Sequence, residues 1–250
     1  MAGPVIYDRT TRLVGAAVME RYAAVRVILF GVGGVGSWCA EALVRSGVTH
    51  LTLVDADRVA ETNVNRQVMA TSRNVGAVKV DAMKARLLEI NPSADIVAIN
   101  GVFTEETADG FRLGDYDYII DAIDSFKDKA ALILRATETR ATFYSSMGAA
   151  LKLDPTAVAV AEFWDVRGCP LGAALRKRFR KQNTLPARKF LCVYDGEVLP
   201  NLGPEPDPDA DPGLFRKAQV NGTAAPVTGI FGLTLAGLIL QDIYRKTLHR

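Results

Sequence analysis

The chain has 250 residues, 49% of them apolar, and a formal net charge of +2. That length supports one large core or two small ones, and so small a charge excludes a global preference for polyanions, leaving partner choice to local charge. Cys39, Cys169 and Cys192 are scattered without CxxC spacing; this argues against a disulfide framework, predicts no structural zinc and fits a reducing cytoplasm.

Residues 1–24 are mostly polar and carry Arg9, Arg12 and Arg21; Leu13, Val14, Ala17 and Val18 mark a weak helical stripe. They read as an N-terminal arm without a basic-then-apolar leader pattern. At residue 25 the character changes. An apolar run rich in β-branched residues stops at Gly31-Val-Gly33-Gly34-Val-Gly36, and a helical pattern follows. A second apolar run then ends at Asp55-Ala-Asp57. Strand, glycine turn, helix and parallel strand follow, with the GxGxxG spacing of nucleotide-binding sheets. Helix-start N–H groups and the helix dipole attract phosphate oxygens. Asp55, 19 residues after Gly36, stands where a carboxylate accepts ribose hydroxyls.

Periodicity vanishes between residues 57 and 75, where Asn63, Asn65, Arg66 and Gln67 form a polar loop with a short helical turn. Residues 78–90 predict an amphipathic helix stopped by Asn91-Pro92, and residues 95–100 a strand. A short helix is expected over 105–112 and a buried strand over 116–124 that ends in acid at Asp121 and Asp124. A helix over 126–138 and a strand over 141–146 complete an alternation that predicts an α/β, Rossmann-like, mostly parallel sheet with helices on both faces. Ligands of such sheets bind at the carboxyl ends of strands, where Gly31, Asp55, Asp124 and Ser145 can converge.

Residues 25–150 thus read as the nucleotide-binding region and 151–250 as a C-terminal extension, in one continuous domain. Residues 150–162 predict a hairpin with an Asp154-Pro155 turn, and residues 189–194 a strand. The helix over 170–181 presents Arg176, Lys177, Arg178, Arg180 and Lys181. These charges share one sign and have no Glu partner at i+4, so they read either as a solvated face or as contacts to nucleic-acid phosphates. Residues 200–213 predict a flexible acidic linker. The apolar stretch 227–244, with glycines at 229, 232 and 237, predicts a buried or dimer-interface helix rather than a membrane span.

Two cations and several amides beside a phosphate-binding turn suit a triphosphate better than the pyrophosphate of a nicotinamide cofactor. Singly, Arg66 and Lys79 read as surface charges; together they read as ATP contacts. Asp124 either takes Mg²⁺ with phosphate oxygens or caps the next helix, and Asp121 reads as structural. No GxxxxGK[ST] is present, which excludes a P-loop.

The strings Gly31–Gly36, Leu-Val-Asp55-Ala-Asp57, Asn63-Val-Asn-Arg66-Gln67, Val-Gly-Ala-Val-Lys79 and Asp121-Ala-Ile-Asp124 resemble the ubiquitin-activating-type (ThiF/MoeB-like) superfamily of ATP-dependent adenylyltransferases. The resemblance implies Asp55 as ribose ligand, Asn63, Arg66 and Lys79 as triphosphate and transition-state contacts, and Asp124 as the magnesium-linked acid. It further implies a homodimer in which an N-terminal arginine, best matched by Arg9, enters the partner's site. Ser145-Ser-Met-Gly148, Asp154-Pro155-Thr and the basic helix are similar to the tRNA threonylcarbamoyladenosine dehydratase branch, although Cys169 stands where that branch suggests Asp. This implies ATP-dependent cyclisation of a threonylcarbamoyl group on tRNA, next to the anticodon. The other readings are an adenylyltransferase for a small sulfur-carrier protein, an NAD-dependent oxidoreductase and a non-catalytic binding module. Cys192 reads as a buried strand residue or as an acceptor of sulfur from a cysteine-desulfurase-type partner.

Overall fold

The computed structural model describes residues 5–203 and 220–248. Two short helices, α1 (Asp8–Val14) and α2 (Ala16–Ala24), lead into β1 (Arg26–Phe30). The chain continues through α3 (Gly36–Ser46), β2 (His50–Val54), α4 (Lys79–Ile90), β3 (Asp95–Ile99), β4 (Tyr118–Asp121) and α5 (Phe126–Glu138). It closes with β5 (Thr142–Ser146), β6 (Ala159–Glu162), α6 (Pro170–Gln182), β7 (Leu191–Tyr194) and α7 (Ala225–Leu248).

The strands form one seven-stranded sheet in the order β3-β2-β1-β4-β5-β7-β6. All neighbours are parallel except the edge pair β6–β7. β1 shows why the sheet needs cover on both sides: successive side chains of a strand point to opposite faces. Val27 and Leu29 enter a core with α2, α3, α4 and α7. Ile28 and Phe30 enter the opposite core with α5 and α6. The sheet therefore lies between two helical layers, as the sequence predicts.

The glycines of α7 explain its placement. A Cβ on Gly232 would lie 2.3 Å from the Val35 carbonyl oxygen, and one on Gly229 would touch the Trp38 ring. Small residues let α7 seat on the first turns of α3 and make it a core helix. It is long and apolar enough to cross a membrane, but half of its most apolar stretch is buried in the protein.

Two expectations are corrected. Residues 150–162 do not form a hairpin. Asp154 accepts from Thr156 N–H and caps a single 3₁₀ turn, Pro155–Ala157. The strand after it, β6, pairs with β7, which follows it by some thirty residues in sequence. The Asp-Pro signal marked a turn, and a turn alone does not choose a strand's partner. Residues 105–112 hold only the 3₁₀ turn Ala108–Phe111 in place of an α-helix. Of the acidic stretch 200–213, residues 204–213 lie outside the described residues.

Candidate active site

The strand order turns back at β1. The chain lays β2 and β3 to one side of it and then crosses to place β4 on the other. Loops leaving two such neighbours diverge and open a crevice at their carboxyl ends. Here those loops are the glycine turn and the segment through Asp124.

Gly31 has φ +88°, and a Cβ there would sit 2.5 Å from the Ala122 carbonyl oxygen. A Cβ on Gly36 would sit 1.8 Å from the Gly31 carbonyl oxygen. These two positions require glycine because backbone occupies the side-chain space. Gly33 differs: a Cβ would meet only the Gln67 amide nitrogen, at 3.9 Å. Gly34 lies against Thr228 and Arg66.

Asp55 closes the turn from the next strand. Its Oδ2 accepts from Val32 N–H at 2.7 Å, and its Oδ1 accepts from Asp57 N–H at 2.9 Å. The carboxylate thus holds the loop in addition to the ribose role expected of it, and each oxygen keeps a second lone pair. Lys79 opens α4, anchored by its N–H to the Asp57 carbonyl at 3.0 Å. Its ammonium lies 2.8 Å from Asp57 Oδ2 and 3.5 Å from Asp55 Oδ1, on a side chain only 4% exposed. A buried cation between two acids is not an incidental surface charge.

The polar loop reaches the same place. Asn63 Oδ1 accepts from Ala60 N–H, and the Asn63 carbonyl accepts from the N–H groups of Arg66 and Gln67. Trp38 of α3 donates its indole N–H to the Arg66 carbonyl at 3.0 Å, which fixes the loop over the glycine turn. The Arg66 guanidinium donates to the Thr62 carbonyl and to Asn65 Oδ1. Gln67 is buried, and its Oε1 has no hydrogen-bond partner in the protein. A buried amide oxygen without a partner is costly, and its position beside Gly33 suits a site that a polar ligand completes.

Asp124 is exposed at the rim, beyond the end of β4. The N-cap of α5 is Ser125, its Oγ accepting from Asp128 N–H. Asp121 is structural, as expected. Lys129 donates to Asp121 Oδ2 at 2.7 Å and to the Ser146 carbonyl at 2.9 Å, and both partners are fully buried. Ser145 also donates to Asp121 Oδ2, at 2.7 Å. Ser145 therefore points into this buried network and not into the crevice, contrary to expectation. Lys129 went unread in the sequence, although a lysine on the stripe with Ile133 and Ala136 was the available signal.

Arg9 is exposed on α1 and is not brought to the crevice of its own chain. Tyr7, at the start of that helix, donates to the Val44 carbonyl in the last turns of α3, whereas the glycine turn adjoins its first. The basic set on α6 divides. Lys177, Arg180 and Lys181 are exposed, Arg180 lying over the Trp164 ring. Arg178 lies 5.4 Å over Phe126, the first residue of α5. Arg176 is half-buried and donates to the Phe163 carbonyl at 3.0 Å, so it braces the fold rather than standing in solvent. Cys39, Cys169 and Cys192 are buried free thiols, and burial pushes the Cys192 thiol well up. Cys169 occupies the N-cap of α6 and makes no capping bond there. Among the described residues no cluster of His, Cys, Asp and Glu could by itself hold a metal ion.

The model of the ThiF family matches residues 7–249. The chain belongs to the ThiF family. Within that family it is 34% identical to the tRNA threonylcarbamoyladenosine dehydratase of Bacillus subtilis, over 96% of this chain and 94% of the relative. Among solved structures it is similar to the Escherichia coli tRNA N6-threonylcarbamoyladenosine dehydratase TcdA in complex with ATP: 31% identity, TM-score 0.84, covering 98% of this chain and 96% of that one. The same enzyme in complex with AMP matches with TM-score 0.85 at 31% identity, covering 99% of this chain and all of that one.

Proposed function

We propose that this protein catalyses ATP-dependent dehydration of threonylcarbamoyladenosine in tRNA, closing the threonyl side into a ring. The observation that carries the reading is the buried Lys79–Asp55–Asp57 group beside the glycine turn, on a chain whose relatives over nearly its whole length bear that activity. The ATP-bound neighbour supports a nucleotide in the crevice.

The substrate's carboxylate is unreactive because its leaving group would be oxide. Attack of that carboxylate on the α-phosphorus of ATP forms an acyl adenylate and releases pyrophosphate. A ureido atom of the same residue then attacks the acyl carbon, closes the ring and expels AMP. The sum is loss of one water from the nucleoside. Nucleophile and electrophile sit on one group, so proximity replaces a catalytic cysteine.

The residues divide this work. Asp55 holds the ribose while its bond to Val32 N–H shapes the loop. The glycine turn, Gly31 to Gly36, brings N–H groups to the phosphates. Asn63, Arg66, Gln67 and Lys79 supply donors and positive charge to the phosphates as negative charge moves from the α-phosphate to the leaving pyrophosphate. Asp57, exposed and paired to Lys79, poises that ammonium at the crevice. Asp124 stands where one carboxylate plus phosphate oxygens would hold Mg²⁺, whose charge supports the same transfer. Lys177, Arg180 and Lys181 contact tRNA phosphates, which position the substrate without reading its sequence. Arg9, remote from its own crevice, serves the partner's site in a homodimer. A cytoplasmic location belongs to this reading, because the substrate is tRNA. A desulfurase-type relay would need an acceptor thiol, and the buried cysteines offer it none; a sulfur-carrier substrate is less favoured because the relatives that match over nearly the whole chain are dehydratases.

Mass spectrometry of nucleosides from tRNA incubated with the protein and ATP tests this. Loss of one water from threonylcarbamoyladenosine, only with ATP, is the expected result. Unchanged nucleoside, with adenylation of a Gly-Gly carrier tail instead, would favour the sulfur-carrier reading.

A further inference from the structure

Phe126 has no task in the reaction above. It stands two positions beyond Asp124 at the mouth of the crevice, and 38% of it is exposed. A large apolar ring at the first position of a helix gains little for the core when so much of it faces water. Arg178 of α6 reaches over it, with the guanidinium carbon 5.4 Å from the ring centroid. Lys181, three residues on, shares that side of the helix and is exposed. The rim therefore presents an aromatic face, a planar cation and a second cation side by side. Through this pair the basic helix meets the first residue of α5.

We propose that Phe126 and Arg178 form a stacking platform for a nucleobase adjacent to the modified adenosine. The proposal rests on tRNA being the substrate. An adenosine that enters the crevice must leave the stack of the anticodon loop, and its neighbour loses a stacking partner in the process. Unpaired bases of RNA loops are held on aromatic rings and arginine planes, and each such stack is sequence-tolerant. The charge at the rim matches the phosphates on either side of that base. Phe126 is a positioning residue: it orders the loop so that the reacting adenosine enters, and it touches neither ATP nor the carboxylate.

The test uses the full-length protein, the variants Phe126→Leu, Phe126→Ala and Phe126→Tyr, and an anticodon stem-loop with 2-aminopurine on one side or the other of the modified position. Wild type and Phe126→Tyr should quench one of the two probes on binding. Phe126→Leu and Phe126→Ala should lose that quenching and weaken tRNA binding about tenfold, with ATP affinity unchanged. The weakening should be parallel at all salt concentrations, because stacking releases no counterions, whereas Lys181→Ala should flatten the salt slope. Leucine or alanine variants that keep both the quenching and the affinity would overturn the platform. A wild-type protein that binds and quenches but never removes water would instead overturn the proposed reaction and leave the platform standing. A wild type that neither binds nor quenches would overturn both.

Discussion

The Lys79 ammonium donates to Asp57 Oδ2 at 2.8 Å from a side chain that is almost fully enclosed, while its acceptor is largely exposed. The lysine is fixed and the aspartate is free to swing into water. A phosphate oxygen arriving on the glycine turn can thus replace the aspartate without moving the cation. Lys79→Ala and Arg66→Ala should each lower kcat by about 10²- to 10³-fold, with unchanged circular dichroism. Full turnover in either variant would remove that residue from the triphosphate contacts.

The pair behind the crevice is a matter of stability. Lys129 and Asp121 have no exposed surface. Removing one partner strands the other charge in the core, so Lys129→Ala should cost about 3–5 kcal/mol. Urea denaturation measures this as a lower midpoint. A variant as stable as the parent would show that water reaches Asp121.

The thiols give a pH test. Burial holds the Cys192 thiol well above its ordinary value, so the native state keeps a proton that the unfolded chain loses above about pH 8.5. That contribution is present below this pH and fades as pH rises past it. Cys192→Ala should flatten this part of the stability profile. A maleimide reagent should label the native protein slowly and all three cysteines rapidly in denaturant. Rapid labelling of native Cys192 would reopen a sulfur-handling role.

The remoteness of Arg9 from its own crevice gives a complementation test. Arg9→Ala and Lys79→Ala chains, each inactive alone, should recover about half of wild-type activity per heterodimer, or about a quarter in a randomly mixed pool, since one of the two sites is intact across the interface. Confirmed heterodimers without activity would exclude sharing.

Most of the sheet was legible because its strands are continuous apolar runs and its helices keep one apolar stripe; the glycine turn was legible because Gly31 and Gly36 leave no room for a side chain. The pairing of β6 was not, since Asp154 signals a turn locally and the partner strand comes later. Ser145 and Lys129 were misread or missed for one reason: sequence shows that a residue is polar but not which way a strand or helix turns it. The loop-holding role of Asp55 was likewise hidden, because it depends on a contact across 23 residues, to Val32 N–H.

The seating of Gly232 under Val35 and Trp38 bears on biogenesis. The segment that backs the glycine turn is synthesised roughly two hundred residues after it, so the turn waits on the ribosome with its rear surface bare. Nucleotide should therefore reach this pocket only after residues 225–248 have left the ribosome and seated on α3. A stalled nascent chain lacking residues 225–248 would be a client for chaperones rather than a half-built catalyst.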